Sequence, residues 1–206
     1  MSAQLLEFDE AAHRYTLAGR DVPSVTRILD DNHFYDFTFV SAEDLEYKRR
    51  VGVHVHHASA LYDRGTLDFS TVGEHIVGYV QAYMAFRAEW MGTITAIEQR
   101  CYCPAADFAG TLDRGFKMGG IRGSTIGIFD VKTGQPCAAN KLQTAAYAVA
   151  HYGAQILGRS RELYRFSLHL SPTGRYRIYV HKDLAGDFRT FQSCRQLYEW
   201  RRANAS

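Results

Sequence analysis

Apolar and polar positions alternate along "IGIFDVKTGQ", Ile126 to Gln135, with the two-residue period of a strand. Ile126, Ile128, Asp130 and Lys132 then share one face, with Gly127, Phe129 and Val131 on the other. Two earlier stretches, "TAIEQRCYC" and "FAGTLDRGFKM", also read as strands, and "GGIRGS" supplies a turn before "STIGIFDVKTG". The spacing predicts an antiparallel meander. Further strands are expected in "LLEFDEAAHRYTLAGRDVPS", read as a hairpin, and in "ELYRFSLHL", "SPTG" and "RYRIYVHK", read as a second hairpin.

Helical spacing marks the remaining segments. "SVTRILD" is a short helix capped by Ser24, and "SAEDLEYKRRVGVHVHHASALYDRG" a long one capped by Ser41 with acids in its first turn. In that helix Val53, His56 and Ala60 are expected on the inward face. "STVGEHIVGYVQAYMAFRAEW" places Ile76, Val80, Tyr83, Met84 and Arg87 three or four residues apart. "NKLQTAAYAVAHYGAQI", with Asn140 as cap, and "DLAGDFRTFQSCRQLYEWRRA" complete the set. This order implies an α/β (α+β) fold, a central mixed sheet flanked by helices.

Composition narrows the class. At 206 residues, 46% of them hydrophobic, the chain fits a single domain over 1–206 with a substantial core. No apolar run approaches the length of a membrane span and the N-terminal residues lack a signal-peptide pattern, so a cytoplasmic location and no membrane partner are expected. Cysteines at 101, 103, 137 and 194 contain no C-x-x-C pair and read as buried free thiols. From Arg159 onward ten Lys and Arg face four acids, whereas fourteen face eighteen before it. A basic C-terminal quarter suits a polyanionic partner or a solvated surface equally.

The strand end carries the chemistry. Asp130 and Lys132 converge on one spot, where the bland reading is an ion pair at a strand end. Asp113, in "AGTLDRG" of the preceding strand, lies near Asp130 in the expected meander. Two close carboxylates repel unless a cation lies between them, and oxygen ligands favour Mg²⁺ or Mn²⁺. Gln143 and Tyr147 in "QTAAY" share a helical face, as polar groups for a phosphate or as core packing. His56 faces inward, while His54 and His57 offer a zinc alternative that no nearby acid or Cys completes. Glu98 reads as a further acid of the site or as a strand-end salt bridge.

Taken together, "GVHVH", "GTLD", "FDVKTG" and "QTAAY" resemble the PD-(D/E)XK nucleases, in particular the RecB-like branch that includes phage exonucleases and Cas4, over roughly Gly52 to Tyr147. "DVPSVTRIL" resembles the opening of small standalone members. The resemblance implies a restriction-endonuclease-like core and metal-dependent hydrolysis of DNA, with exonuclease action. His56, Asp113, Asp130 and the Val131 carbonyl would hold Mg²⁺ or Mn²⁺. Lys132 would orient or activate water, and Gln143 and Tyr147 would support the site and touch DNA. A recombination or single-strand annealing or binding protein is an expected companion. Val53 departs from the family's usual Thr before the metal His. The cysteines do not match its iron–sulfur members, so no cluster is expected, and the absence of G-x-x-x-x-G-K-[ST] leaves no nucleotide-driven motor.

Arg159, Arg161, Arg165, Arg175 and Arg177 lie in or around the C-terminal hairpin. In "RYRIYV" Arg175, Arg177 and Tyr179 share a face able to follow a phosphate backbone. Two other readings stay open: a nucleic-acid-binding module of this fold without chemistry, and a zinc-binding structural protein built on "HVHH".

Overall fold

A computed structural model describes residues 6–10, 12–35, 40–90, 92–120 and 123–205. The chain opens with three short antiparallel strands, β1 (Leu6–Asp9), β2 (Arg14–Leu17) and β3 (Arg20–Val22). One strand more than the expected hairpin forms here, because Ala18 and Gly19 both take positive φ between the paired residues Leu17 and Arg20. That two-residue turn matches the twist of antiparallel strands. Helix α1 (Val25–Asp31) follows, with the Ser24 hydroxyl accepting the Arg27 N–H as its cap.

Helices α2 (Ala42–Asp63) and α3 (Glu74–Glu89) come next, and the Ser41 hydroxyl caps α2 by accepting the Asp44 N–H. The main sheet comprises β4 (Thr93–Cys103), β5 (Phe108–Gly120), β6 (Gly123–Lys132), β7 (Leu163–Leu170) and β8 (Tyr176–Val180), in spatial order β4-β5-β6-β7-β8. The tip of the β5–β6 turn, Ile121 and Arg122, lies outside the described residues, but β4, β5 and β6 pair as the expected antiparallel meander. β7 lies parallel to β6, because helix α4 (Ala139–Tyr152) carries the chain back across the sheet between them. β8 returns antiparallel as the edge, and α5 (Leu184–Ala203) follows it. The result is a five-stranded mixed sheet flanked by helices.

Both faces of that sheet are covered. α2 and α3 bury Val55, Val80 and Phe86 against Phe116, Phe129 and Phe166, whereas α1, α4 and α5 bury Ile28, Ala145 and Phe191 with Leu112 and Ile128. Alternation along β6 therefore sends Phe129 and Val131 to one core and Ile128 to the other, each fully buried side chain contributing about 1.5–3 kcal/mol. Gly127 interrupts the apolar run because a Cβ there would lie 2.2 Å from both the Phe116 ring and the Tyr164 carbonyl. Among the described residues, no helix is long and apolar enough to cross a membrane.

Three expectations need correction. Val53 is 61% exposed, because the buried stripe of α2 runs through Val51, Val55, Ala58 and Ser59. His56 consequently sits on the flank of that stripe, half-buried rather than central. Asn140 does not cap α4: the helix begins after Ala138, and Asn140 is buried in its first turn with its amide 3.2 Å from His169 Nε2. Cys101, Cys103 and Cys194 are buried free thiols as expected, but Cys137, in the loop before α4, is exposed.

Candidate active site at the ends of β5 and β6

With Arg114 opposite Phe129, the antiparallel register of β5 and β6 carries Asp113 to the side of Asp130. Both carboxylates are buried, at 5% and 1% exposure. Asp113 Oδ2 accepts the Val131 N–H at 2.7 Å, so one β6 backbone group clamps the acid from the neighbouring strand. His56 reaches in from α2, its Nδ1 3.4 Å from the same Asp113 oxygen. Gly110 clears space nearby, since a Cβ there would lie 2.5 Å from the Tyr147 ring.

Lys132 closes the other side. Its Nζ lies 2.5 Å from Asp130 Oδ2 and donates to Gln143 Oε1 at 2.9 Å, while Gln143 Nε2 donates to the Tyr147 hydroxyl at 3.1 Å. Gln143 and Tyr147 are each 4% exposed, a burial that fits them to hold Lys132 from beneath. Asp130 Oδ2 is itself buried, with the Lys132 ammonium as its close neighbour.

Electrostatics follow from this crowding. Burial, then the Asp113 charge, pushes the Asp130 carboxyl up to about 6, against the opposing pull of Lys132 and His56. Burial lowers the Lys132 pKa, but Asp130 and Asp113 outweigh it and hold the ammonium charged well beyond the ordinary lysine range. Burial, reinforced by Asp130, raises the Tyr147 phenol far above its usual range, so it remains a neutral hydrogen-bonding group. Tyr35 belongs to the same neighbourhood: burial raises its phenol to about 12, with Lys132 and Asp130 both acting on it. Its place in an irregular aromatic loop left no periodic signal by which to find it.

Glu98 joins the group in two ways. It sits in β4 at a positive φ of 48°, and its Oε1 accepts from Arg114 Nη1 at 2.8 Å. Ligand atoms of His56, Glu98 and Asp113 also lie within 4.8 Å of one another, close enough to share a metal ion. The salt bridge expected of Glu98 forms with Arg114, in the middle of β4 rather than at a strand end.

Arg114 was not singled out in the sequence and is the bolt of the site. Fully buried, it pairs through Nε with Asp63 Oδ2 at 2.5 Å, donates to the Ser59 hydroxyl at 3.0 Å, and donates to the Asp113 carbonyl at 2.7 Å. The Ser59 hydroxyl in turn donates to the His56 carbonyl at 2.9 Å. One guanidinium thus ties α2, β4 and β5 together beneath His56, Glu98 and Asp113. Arg114→Ala should destabilise the fold by up to about 3–5 kcal/mol, because it breaks a buried ion pair and leaves Asp63 with only Arg87 and Tyr83 as partners. Urea unfolding checks this, and a loss below about 1 kcal/mol would show that the network carries little.

The zinc alternative finds little support in the geometry. His54 Nδ1 lies 3.0 Å from His75 Nε2, but neither His54 nor His57 belongs to the three-residue group able to share a metal among the described residues.

The basic hairpin separates into two populations. Arg165 is 1% exposed and donates to the Lys141 carbonyl, the Thr144 hydroxyl and Asp187, so it braces α4 and α5 and cannot meet DNA. Arg159 pairs with Glu162, and the Arg161 side chain lies outside the described residues. Arg175 and Arg177 are exposed, and Arg177 Nη1 lies 3.4 Å from the Tyr179 hydroxyl. Registers link these residues to the site: Asp130 pairs with Ser167 and Ser167 with Tyr179, while Lys132 pairs with His169 and His169 with Arg177. Arg177 and Tyr179 therefore occupy the same face as Asp130 and Lys132, two strand spacings or roughly 10 Å away.

No protein-family model matches this chain, and no curated protein matches it significantly.

Proposed function

We propose that this chain is a divalent-metal-dependent nuclease of the PD-(D/E)XK type that hydrolyses phosphodiester bonds in DNA, acting as an exonuclease. The observation that carries the reading is the pair of buried carboxylates, Asp113 and Asp130, with Lys132 and His56 converging on them. Two desolvated carboxylates side by side make a site that a further cation would stabilise. Carboxylate oxygens with one imidazole suit Mg²⁺ or Mn²⁺.

His56, Asp113, Asp130 and the Val131 carbonyl would hold the ion, with Glu98 facing them. Bound there, it would lower the pKa of a ligated water and stabilise charge on the phosphate oxygens. Lys132 is held as a cation by both carboxylates, so it suits orienting the water and countering developing negative charge rather than removing a proton. Gln143 fixes the Lys132 head, and Tyr147 fixes Gln143. Incubation with linear and circular, single- and double-stranded DNA in Mg²⁺, Mn²⁺ or EDTA tests the reading. Linear DNA should be degraded and EDTA should stop it; intact DNA under every metal condition would leave at most a binding module.

DNA would run from the carboxylates toward the exposed edge strand. Arg175→Ala with Arg177→Ala should weaken binding and flatten its salt dependence, each lost phosphate contact removing about 0.7–0.9 from the log–log slope. Cleavage at saturating DNA should change much less. Anisotropy at several salt concentrations, with Ca²⁺ in place of Mg²⁺, measures both. Wild-type affinity and slope would mean that these arginines only solubilise an edge.

A further inference from the structure

Beside Lys132 in the β6–β7 register lies His169, 7% exposed and engaged at both ring nitrogens. Its Nδ1 is 2.8 Å from the Gly134 carbonyl, in the loop between β6 and α4. Its Nε2 is 3.2 Å from Asn140 Nδ2, in the first turn of α4, and 3.1 Å from the Ser167 hydroxyl. A carbonyl only accepts, so the ring proton sits on Nδ1 and Nε2 is the acceptor. The Cys137 thiol, 3.4 Å from Asn140 Oδ1, turns that amide so that its NH₂ faces the imidazole. One neutral tautomer satisfies the whole cluster, and burial favours it by lowering the His169 pKa. The Tyr179 ring packs against the imidazole in a T-shaped contact, centroids 4.9 Å apart.

These contacts pin a span that begins and ends at the carboxylate site. Gly134 lies two residues after Lys132, and Asn140 three before Gln143, less than one turn of α4. The ends of the span meet where Lys132 Nζ donates to Gln143 Oε1 at 2.9 Å. Between them, residues 134–138 are exposed and belong to no strand or helix. Such a loop does not by itself fix the separation of the elements it joins. His169 supplies the fixed point, because it holds the loop on one side and the start of α4 on the other. With both nitrogens occupied and the ring buried, it has no free group to offer water or substrate, so any effect on chemistry passes through its neighbours.

We propose that His169 is a positioning residue for Lys132: together with Asn140 it clamps the loop between β6 and α4, and through that loop sets the Lys132 ammonium against Gln143 and Asp130. The effect on turnover rests on the nuclease reading; the clamp does not.

The full chain carries the test. His169→Phe keeps a ring and removes both hydrogen bonds, whereas His169→Asn retains a donor for the Gly134 carbonyl. In metal-free protein, hydrogen–deuterium exchange at the start of α4, where the Asn140 and Lys141 N–H groups bond to the Cys137 and Ala138 carbonyls, should accelerate severalfold in His169→Phe while α2 and α5 stay at wild-type rates. Single-turnover cleavage of linear DNA in saturating Mn²⁺ should fall on the order of 10–100-fold, with Mn²⁺ and DNA affinities unchanged and partial recovery in His169→Asn. In a Lys132→Ala background, His169→Phe should cost little more, because no ammonium remains to be placed. If His169→Phe does not fold, Asn140→Ala breaks the same clamp from the α4 side and takes its place in each measurement. Wild-type exchange at the start of α4, or loosening spread evenly over the chain, overturns the clamp. Local loosening with wild-type turnover, or an undiminished further loss in the Lys132→Ala background, overturns the positioning role. Local loosening in a protein whose wild type leaves DNA uncut upholds the clamp while the nuclease reading fails.

Discussion

On the proposed nuclease reading, Asp130→Asn should lower cleavage by on the order of 1,000-fold or more while leaving the protein folded, because it would remove a charged metal ligand without removing volume. The same variant changes the pH dependence of stability. In the native chain the Asp130 carboxyl sits near 6, above its usual value of 3.8, so the folded state binds this proton more tightly than the unfolded state. Its contribution is therefore most favourable below pH 3.8 and is lost as pH rises through about 6. A shift of about two units corresponds to roughly 3 kcal/mol. Metal-free wild type should accordingly lose stability relative to Asp130→Asn between about pH 4 and pH 7, and added Mn²⁺ should restore it to wild type only. At sub-saturating metal, activity should rise as pH approaches about 6 and flatten above, as the unloaded carboxyl ionises, and saturating metal should move this step to lower pH. Thermal melts across pH, with and without Mn²⁺, measure the first effect, and initial rates the second. A folded Asp130→Asn protein that cuts at near wild-type rates removes the metal-site assignment.

Lys132→Ala should lower turnover by on the order of 100–1,000-fold, and Lys132→Arg should not rescue it. The buried seat between Asp130 and Gln143 fits a compact ammonium, whereas a planar guanidinium cannot meet both at the same point. Metal binding should persist in Lys132→Ala but move to higher pH, because loss of the neighbouring cation makes Asp130 harder to ionise. Mn²⁺ titration near pH 8 beside single-turnover cleavage separates the two effects. Parallel loss of metal affinity and turnover at that pH would make Lys132 a structural partner of the carboxylates and end its assignment to the chemical step.

Much of the architecture was legible along the chain because local rules act within a few residues. Ser24 and Ser41 cap helices where expected, and two-residue alternation places Phe129 and Val131 against one core and Ile128 in the other. The fold also brings together His56, Asp113, Asp130, Lys132, Gln143 and Tyr147, the residues whose identity and order stood out in the sequence. Other features depend on contacts that periodicity does not encode. The rotation of α2 exposes Val53 and moves His56 to a flank because α3 and the sheet choose which stripe is buried. Arg114 and Arg165 look like surface cations in sequence, yet each is buried where an acid from a distant element, Asp63 or Asp187, meets it. Burying such a charge is tolerable only when that partner arrives, and its arrival is a property of packing. Glu98 and Tyr35 acquire meaning for the same reason. The sequence by itself determined which side chains can do chemistry and which face of each strand is apolar; only the tertiary structure decided which carboxylates lose their water together, and that shared desolvation makes the site.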